Sequence, residues 1–231
     1  MTSPVTRERV PLTEATAPPP LIPRKTVLVV GLSLEGALLF AALIWAWWRE
    51  IAWDFTFQTG HVLPLIASLL LLALINLICF SPSPKWKWKE EFSQFLELFV
   101  LPLARDLGPG SALLLAVASG IAEELFFRGV LIEELTSLTG SMLAGQLAAA
   151  LIFSVVHFGP STSRFPKVVL VYWLAGLVLG ISYSLSGTLA VPILAHAIYN
   201  FCAFAILTKG FRMTGHDLVH SNLPKASKSD G

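Results

Sequence analysis

The sequence predicts an all-α protein: a polytopic bundle of about six transmembrane helices, with one further amphipathic helix lying in the membrane interface. Two observations predict this class. Of the 231 residues, 55% are hydrophobic and only 13% are charged, whereas an average soluble domain has about 25% charged residues. The apolar residues are also gathered into blocks of about 17 to 25 residues, the length that crosses a hydrocarbon core about 30 Å thick.

The first element is the segment 1–24, which contains six prolines and scattered charges. This composition cannot bury a core, so we expect a disordered, proline-rich cytoplasmic tail. The apolar block 26–48 follows and ends in Trp45, Trp47 and Trp48. Its length and its aromatic end are typical of an uncleaved transmembrane helix and not of a secretory signal.

Five further apolar blocks predict the other spans, at residues 62–80, 111 to about 135, 141–158, 166–185 and 188–208. Between the second and third spans, Lys85, Lys87 and Lys89 precede apolar residues at helical spacing, which predicts the interfacial helix. The chain then divides into the tail 1–24, two spans and the interfacial helix over 25–110, a helix bundle over 111–208, and a second cytoplasmic tail over 209–231.

The charges predict orientation rather than a charged binding surface. Sixteen basic and fifteen acidic residues give a formal net charge of +1, so we expect the bilayer as a partner and no nucleic acid. If the interfacial helix does not cross, fourteen of the sixteen basic residues fall on one side, and only Arg49 and Arg128 do not. The positive-inside rule then places both termini in the cytoplasm. A bacterial or archaeal plasma membrane is the expected location, because no transit-peptide composition is present.

The third span contains three ionisable residues within six positions: Glu123, Glu124 and Arg128. Each such residue costs about 2.5 to 3.5 kcal/mol in the middle of a membrane, so the cluster indicates function. Glu124 and Arg128 are four positions apart, a spacing that predicts an ion pair on one helix face. Glu123 points about 100° away from Glu124 and needs a partner from another span.

The fourth span offers His157 as that partner. Glu123 lies 17 residues before Gly140, at the centre of the turn, and His157 lies 17 residues after it. Equal distances from the turn of an antiparallel helical hairpin place two side chains at equal depth. A carboxylate and an imidazole at that depth can share one water molecule.

The sixth span adds His196 and Asn200, which are four positions apart and therefore face the same way. We expect Pro192, just before them, to bend the helix or to free backbone carbonyls near the site. Glu35 in the first span is a further ionisable residue inside an apolar block, and two roles stay open for it: pairing with a polar group of another helix, or contact with water. Glu133 and Glu134 are expected at the outer interface.

The pattern Glu-Glu-x-x-x-Arg at 123–128, Phe-x-x-x-His at 153–157 and His-x-x-x-Asn at 196–200 resembles the CPBP family of CAAX prenyl proteases of the Rce1 type and bacterial Abi proteins. The resemblance covers about residues 111–208 and implies an intramembrane endopeptidase of the glutamate type that cleaves near the carboxyl terminus of a prenylated, CAAX-like or sorting-tail substrate. It implies that Glu123 and His157 activate water, that His196 and Asn200 form the oxyanion hole, and that Glu124 and Arg128 organise the site.

Metal dependence stays open at this point. No cofactor is certain, but a divalent metal such as Zn would be held by Glu123, His157 and His196, a His₂Glu set like that of soluble metalloproteases. The sequence excludes the His-Glu-x-x-His metalloprotease and aspartyl types of intramembrane protease and gives little support to the serine type. The chain has no His-Glu-x-x-His motif, all four aspartates lie outside the apolar blocks, and Ser182 with His196 makes a poor serine site.

Two other functions remain as alternatives. A non-catalytic membrane immunity or scaffolding protein of the same fold would sequester a peptide without cleaving it, but a binding role does not require both a base and oxyanion donors. A proton-coupled transporter would also use buried charge, but no inverted repeat is visible between the two halves of the sequence.

Overall fold

A computed structural model describes residues 22–80, 88–159 and 162–221. These residues form helices and no strands, in agreement with the predicted all-α class. The tail 1–24 falls almost entirely outside the described residues. The helices are α1 (Arg24–Arg49), α2 (Val62–Phe80), α3 (Trp88–Phe95), α4 (Leu101–Ala104), α5 (Pro109–Phe126), α6 (Ile132–Thr139), α7 (Met142–Phe158), α8 (Pro166–Ser186) and α9 (Ala190–Ser221).

Five of these helical segments are long and apolar enough to cross a membrane: α1, α2, the continuous α5–α6 segment, α8, and the first part of α9. The remaining predicted span, the fourth along the chain, is α7, which has 17 residues and is therefore about 25 Å long. This length is at the lower end of the range for a transmembrane helix. The chain is an integral membrane protein with a helical bundle.

Helices α1 and α5–α6 run parallel to each other. At one end Arg24 Nε donates to Ser111 Oγ at 2.6 Å, and at the other end Arg49 Nε lies 2.6 Å from Glu134 Oε1. Because α1 and α5 cross in the same direction and α2 crosses back between them, α5 starts on the side of the membrane where α2 ends. The α3–α4 segment, which joins α2 to α5, therefore does not cross the membrane. The predicted non-crossing position of the α3–α4 segment therefore agrees with the fold.

The α3–α4 segment packs against the bundle. Phe92 and Phe95 are buried against Phe158 and Phe165, at the end of α7 and the start of α8. Glu91 Oε1 accepts a hydrogen bond from the backbone amide of Lys167 at 2.7 Å, in the first turn of α8, where helix amides lack partners of their own. The helix thus closes one end of the bundle, while the lysines at 85 and 87 lie outside the described residues.

The opposite end is closed by the loop between α1 and α2. The carbonyl of Asp54 accepts hydrogen bonds from the Leu189 amide at 2.8 Å and from Thr188 Oγ1 at 3.0 Å. Trp53 Nε1 donates to the carbonyl of Gly129 at 3.0 Å. These contacts fix the start of α9 relative to α5–α6.

The expectation that Pro192 bends the last span is wrong. Helix α9 begins at Ala190, so Pro192 lies in its first turn, where a missing N–H removes no intrahelical hydrogen bond. The helix also continues to Ser221, beyond the predicted end of the span at residue 208. The proline therefore starts the helix that carries His196 and Asn200.

Candidate active site

The buried charges of α5 lie about midway along the bundle, since Glu123 is twelve positions after Ser111 and eleven before Glu134. Glu123 is 6% exposed, Glu124 0% and Arg128 1%. The expected ion pair is present, with Arg128 Nη1 at 2.8 Å from Glu124 Oε1. A carboxylate and a guanidinium so deeply buried need each other, because either charge alone would be strongly unfavourable.

Arg128 is held on three sides. Besides Glu124, its Nη2 donates to the carbonyl of Gly176 in α8 at 2.8 Å, and its Cζ lies 4.9 Å from the centre of the Phe153 ring of α7. The residue belongs to a π-helical turn, Phe127–Leu131, between α5 and α6. Such wide turns interrupt α-helices, often at functional sites, and here the turn links three helices through one side chain.

His196 of α9 completes the contacts of Glu124. Its Nδ1 lies 2.6 Å from Glu124 Oε1, the same oxygen that binds Arg128. A carboxylate beside a guanidinium accepts hydrogen bonds, so Nδ1 is the protonated nitrogen of the ring. The Nε2 nitrogen of His196 faces the other glutamate, at 3.9 Å from Glu123 Oε2.

His157 approaches Glu123 from α7, as the equal spacing around Gly140 predicts. Its Nε2 lies 3.5 Å from Glu123 Oε2. Its Nδ1 lies 2.7 Å from the carbonyl oxygen of Phe153, which only accepts, so Nδ1 carries a proton. The His157 side chain keeps 30% of its exposure, which leaves this side of the site open.

Glu123 Oε2 is therefore the point on which the two histidines converge. It is buried and has no hydrogen-bond partner. When the imidazoles are neutral, their Nε2 atoms and Glu123 Oε2 are all acceptors. Acceptors that face one another need a donor between them, and a water molecule has the two hydrogens required.

Asn200 lies one turn beyond His196, and its Nδ2 donates to Ser119 Oγ at 2.9 Å. The amide has a second hydrogen, which can be donated to an oxygen of a substrate. Ser119 is one turn before Glu123 on α5 and is buried. The structure thus brings together the six residues selected from the sequence, on α5, its π-helical turn, α7 and α9.

Sequence reasoning missed two contributors, Ser119 and the Gly176 carbonyl, and left the role of a third, Glu35, open. Ser119 could have been found, because it shares a helix face with Glu123 at a spacing of four. The Gly176 carbonyl could not have been found, because every residue has a backbone carbonyl and the sequence does not mark the one that binds Arg128. Glu35 of α1 is the third contributor: its carboxyl group lies beside that of Glu123 and interacts electrostatically with His196.

Glu123, His157 and His196 have the right chemistry for a zinc site. Their geometry does not fit one, because Nε2 of His196 lies 3.9 Å from the shared carboxylate oxygen. Among the residues that the structure describes, no group of three or more His, Cys, Asp or Glu side chains is arranged to hold a metal ion.

Comparison with known proteins gives one family match. Residues 107–202 match the family described as "Type II CAAX prenyl endopeptidase Rce1-like", whereas no curated protein and no solved structure matches the chain significantly. The matched segment begins just before α5 and ends within α9, so it contains Glu123, His157, His196 and Asn200. The match to this family supports, in general terms, a protease activity of the CAAX type. Over residues 107–202, this membrane protein is therefore similar to the Rce1-like family of type II CAAX prenyl endopeptidases.

Proposed function

We propose that this protein is an intramembrane endopeptidase that hydrolyses a peptide bond near the carboxyl terminus of a membrane-associated substrate, either a prenylated, CAAX-like tail or a sorting tail. The observation that carries the proposal is the convergence of His157 and His196 on the unpartnered Oε2 atom of Glu123. The family match over residues 107–202 supports the same reaction class.

Glu123 and His157 are proposed to activate the water. A water between Glu123 Oε2 and His157 Nε2 would donate one hydrogen to each, which orients an oxygen lone pair toward the substrate carbonyl. As the water oxygen bonds to the carbonyl carbon, Glu123 takes the proton. The same proton then passes to the amine as the carbon–nitrogen bond breaks.

His196 and Asn200 are proposed to stabilise the negative oxygen of the tetrahedral intermediate. Asn200 has one amide hydrogen free after its bond to Ser119. His196 donates Nδ1–H to Glu124, so donation from Nε2 as well requires the doubly protonated ring, whose positive charge would face Glu123 and Glu124. Glu124 and Arg128 would hold that ring in place.

Cleavage by the purified protein tests the proposal. In detergent or liposomes, the wild type should release the carboxy-terminal fragment of a farnesylated CAAX peptide or of a sorting-tail peptide. Glu123→Gln should lower kcat at least 10²-fold, within the usual range for a general base. Glu133→Gln, an exposed glutamate of α6 on the same span, is the matched control and should keep full activity. An active Glu123→Gln variant would contradict the proposal.

Chelation distinguishes the proposed catalysis by Glu123 and His157 from catalysis by a bound metal ion. Glutamate catalysis without metal predicts that activity survives dialysis against a strong chelator. A zinc ion held by Glu123, His157 and His196 predicts loss of activity and recovery on addition of zinc. A Glu123→Gln strain that keeps the biological function of the wild type would instead support the non-catalytic immunity or scaffolding role.

A further inference from the structure

Helix α1 brings a carboxyl group to the site, although α1 lies outside the segment that matches the family. The carboxyl group of Glu35 lies beside that of Glu123 and interacts electrostatically with His196. Its Oε2 atom is buried and has no hydrogen-bond partner. Glu35 is therefore a third buried carboxyl group at the site, with Glu123 and Glu124.

The packing of α1 along α5 fixes the depth of Glu35. The hydrogen-bonded residues at one end of this contact, Arg24 and Ser111, are 87 positions apart, and those at the other end, Arg49 and Glu134, are 85 apart. Glu123 is 88 positions after Glu35. Two parallel helices in this register place Glu35 beside Glu123.

Small residues on the same face of α1 allow a close approach. A Cβ atom at Gly31 would lie 2.9 Å from Cδ2 of Leu115, so a larger residue there would have to displace the end of that side chain. Ala42 and Ala46 are buried against Leu125 of α5. Small residues on both sides of Glu35 let the helix backbones approach each other, as in other membrane helix pairs.

The contact between Glu35 and Glu123 requires a proton. Two carboxyl groups that touch away from water cannot both be ionised, and a hydrogen bond between them has one donor and one acceptor. Two imidazole rings face Glu123, from His157 and His196, whereas His196 is the imidazole that acts on Glu35. The negative charge is therefore better stabilised on Glu123, and the proton belongs to Glu35.

We propose that neutral Glu35 is a positioning residue, which donates a hydrogen bond to the Glu123 carboxylate and so holds Oε2 toward His157 and His196. Glu35 touches neither the water nor the substrate. The predicted effect of Glu35 on kcat rests on the proposed peptidase function. The proton on Glu35 does not, because it is present without substrate.

Two substitutions of Glu35 separate the hydrogen bond from packing. Glu35→Gln keeps the size and a donor, so most of the wild-type kcat should remain. Glu35→Leu removes the donor and should lower kcat about 10- to 100-fold, as expected for loss of a hydrogen bond to a charged group, with KM unchanged. An equal loss of kcat in both variants, or a change in KM alone, would overturn the proposal.

Leu32→Ala controls for the packing of α1. Leu32 packs against the cluster that contains Leu115 and is one turn from Glu35. The substitution should lower the thermal unfolding midpoint but leave the kcat of the folded protein unchanged. If Leu32→Ala lowers kcat as much as Glu35→Leu does, Glu35 has only a packing role and the proposal fails.

Infrared spectroscopy tests the proton without substrate. Isotope-labelled glutamate identifies the carbonyl band of a protonated carboxyl group at neutral pH. The band should be present in the wild type and in Glu133→Gln, and absent from Glu35→Leu and Glu35→Gln. A wild type without the band, or a Glu35→Leu variant that keeps it, would contradict the proposal. A wild type that shows the band but cleaves no substrate would contradict the peptidase function and leave the Glu35 contact intact.

Discussion

Glu124 is the residue on which the polar contacts of the site meet. Its Oε1 atom binds Arg128 Nη1 at 2.8 Å and His196 Nδ1 at 2.6 Å, and its Oε2 atom is buried without a hydrogen-bond partner. The residue is 0% exposed, so water does not compensate its charge. Removal of Arg128 would leave a buried, uncompensated carboxylate.

Arg128→Met should therefore lower the free energy of unfolding by about 3 to 5 kcal/mol, the usual cost of removing one partner of a buried ion pair. The exposed pair between Arg49 and Glu134 provides the matched control, because solvent screens that pair and Arg49→Met should change stability far less. Thermal unfolding in detergent measures both variants. Equal unfolding midpoints would show that the buried pair is not a main source of stability.

The hydrogen bond from Asn200 to Ser119 gives a second prediction at the residue scale. Asn200→Ala should lower kcat about 10²- to 10³-fold if the amide stabilises the oxyanion. Ser119→Ala should have a smaller effect in the same direction, because it only frees the amide to rotate. Ser182→Ala is the control, since Ser182 is another buried serine that bonds a carbonyl of its own helix. A Ser119→Ala variant with unchanged kcat would show that this bond does not position Asn200.

Among the helices, the contact between α5 and α9 sets the distance from the glutamates to His196. Gly120 lies against α9, and a Cβ atom at this position would lie 3.1 Å from both the Ala197 Cβ and the Ile193 carbonyl oxygen. Backbone atoms cannot yield as a flexible side chain does. The glycine therefore permits the close packing in which Glu124 reaches His196.

Gly120→Ala should separate α9 from α5, lengthen the bond between Glu124 and His196, and reduce both stability and kcat. Gly36→Ala is the matched control, because a Cβ atom at Gly36 meets nothing within 4 Å. In a helix interior this control should be neutral or stabilising by about 0.5 to 1 kcal/mol. If the two variants have similar unfolding midpoints and similar kcat, the tight contact between α5 and α9 does not set the distance between Glu124 and His196.

Across the whole molecule, the two ends of the bundle differ in charge. Arg24, Lys25, Arg105, Arg164 and Lys167 belong to the end closed by α3 and α4, whereas Arg49 belongs to the opposite end, where it pairs with Glu134. By the positive-inside rule, we propose that the first end faces the cytoplasm.

Cysteine labelling in intact cells tests this orientation. Gln58→Cys, in the loop between α1 and α2, should react with a membrane-impermeant maleimide added outside. Ser163→Cys, in the turn before α8, should react only after the membrane is made permeable. Cys79 and Cys202 are first replaced by alanine. Labelling of Ser163→Cys in intact cells would reverse the proposed orientation.

Much of the site could be predicted from the sequence, because helical periodicity and distance from a turn are local properties. The spacing of four between Glu124 and Arg128 predicts their ion pair, and the equal distances of Glu123 and His157 from Gly140 predict their proximity. The sequence does not predict correctly whether Pro192 bends the helix, because this depends on where α9 begins. That start is fixed by the hydrogen bond from the Leu189 amide to the distant Asp54 carbonyl.

The sequence alone determined the helical class, the membrane location and the three motifs, since apolar block length and residue spacing within one helix are sufficient for these. Only the tertiary structure decided that His196 binds Glu124, that the Gly176 carbonyl binds Arg128, and that Glu35 reaches Glu123 from α1. These contacts join separate helices. They depend on how each helix is rotated and how closely small residues let it approach its neighbours, and no periodicity within a single helix specifies either quantity.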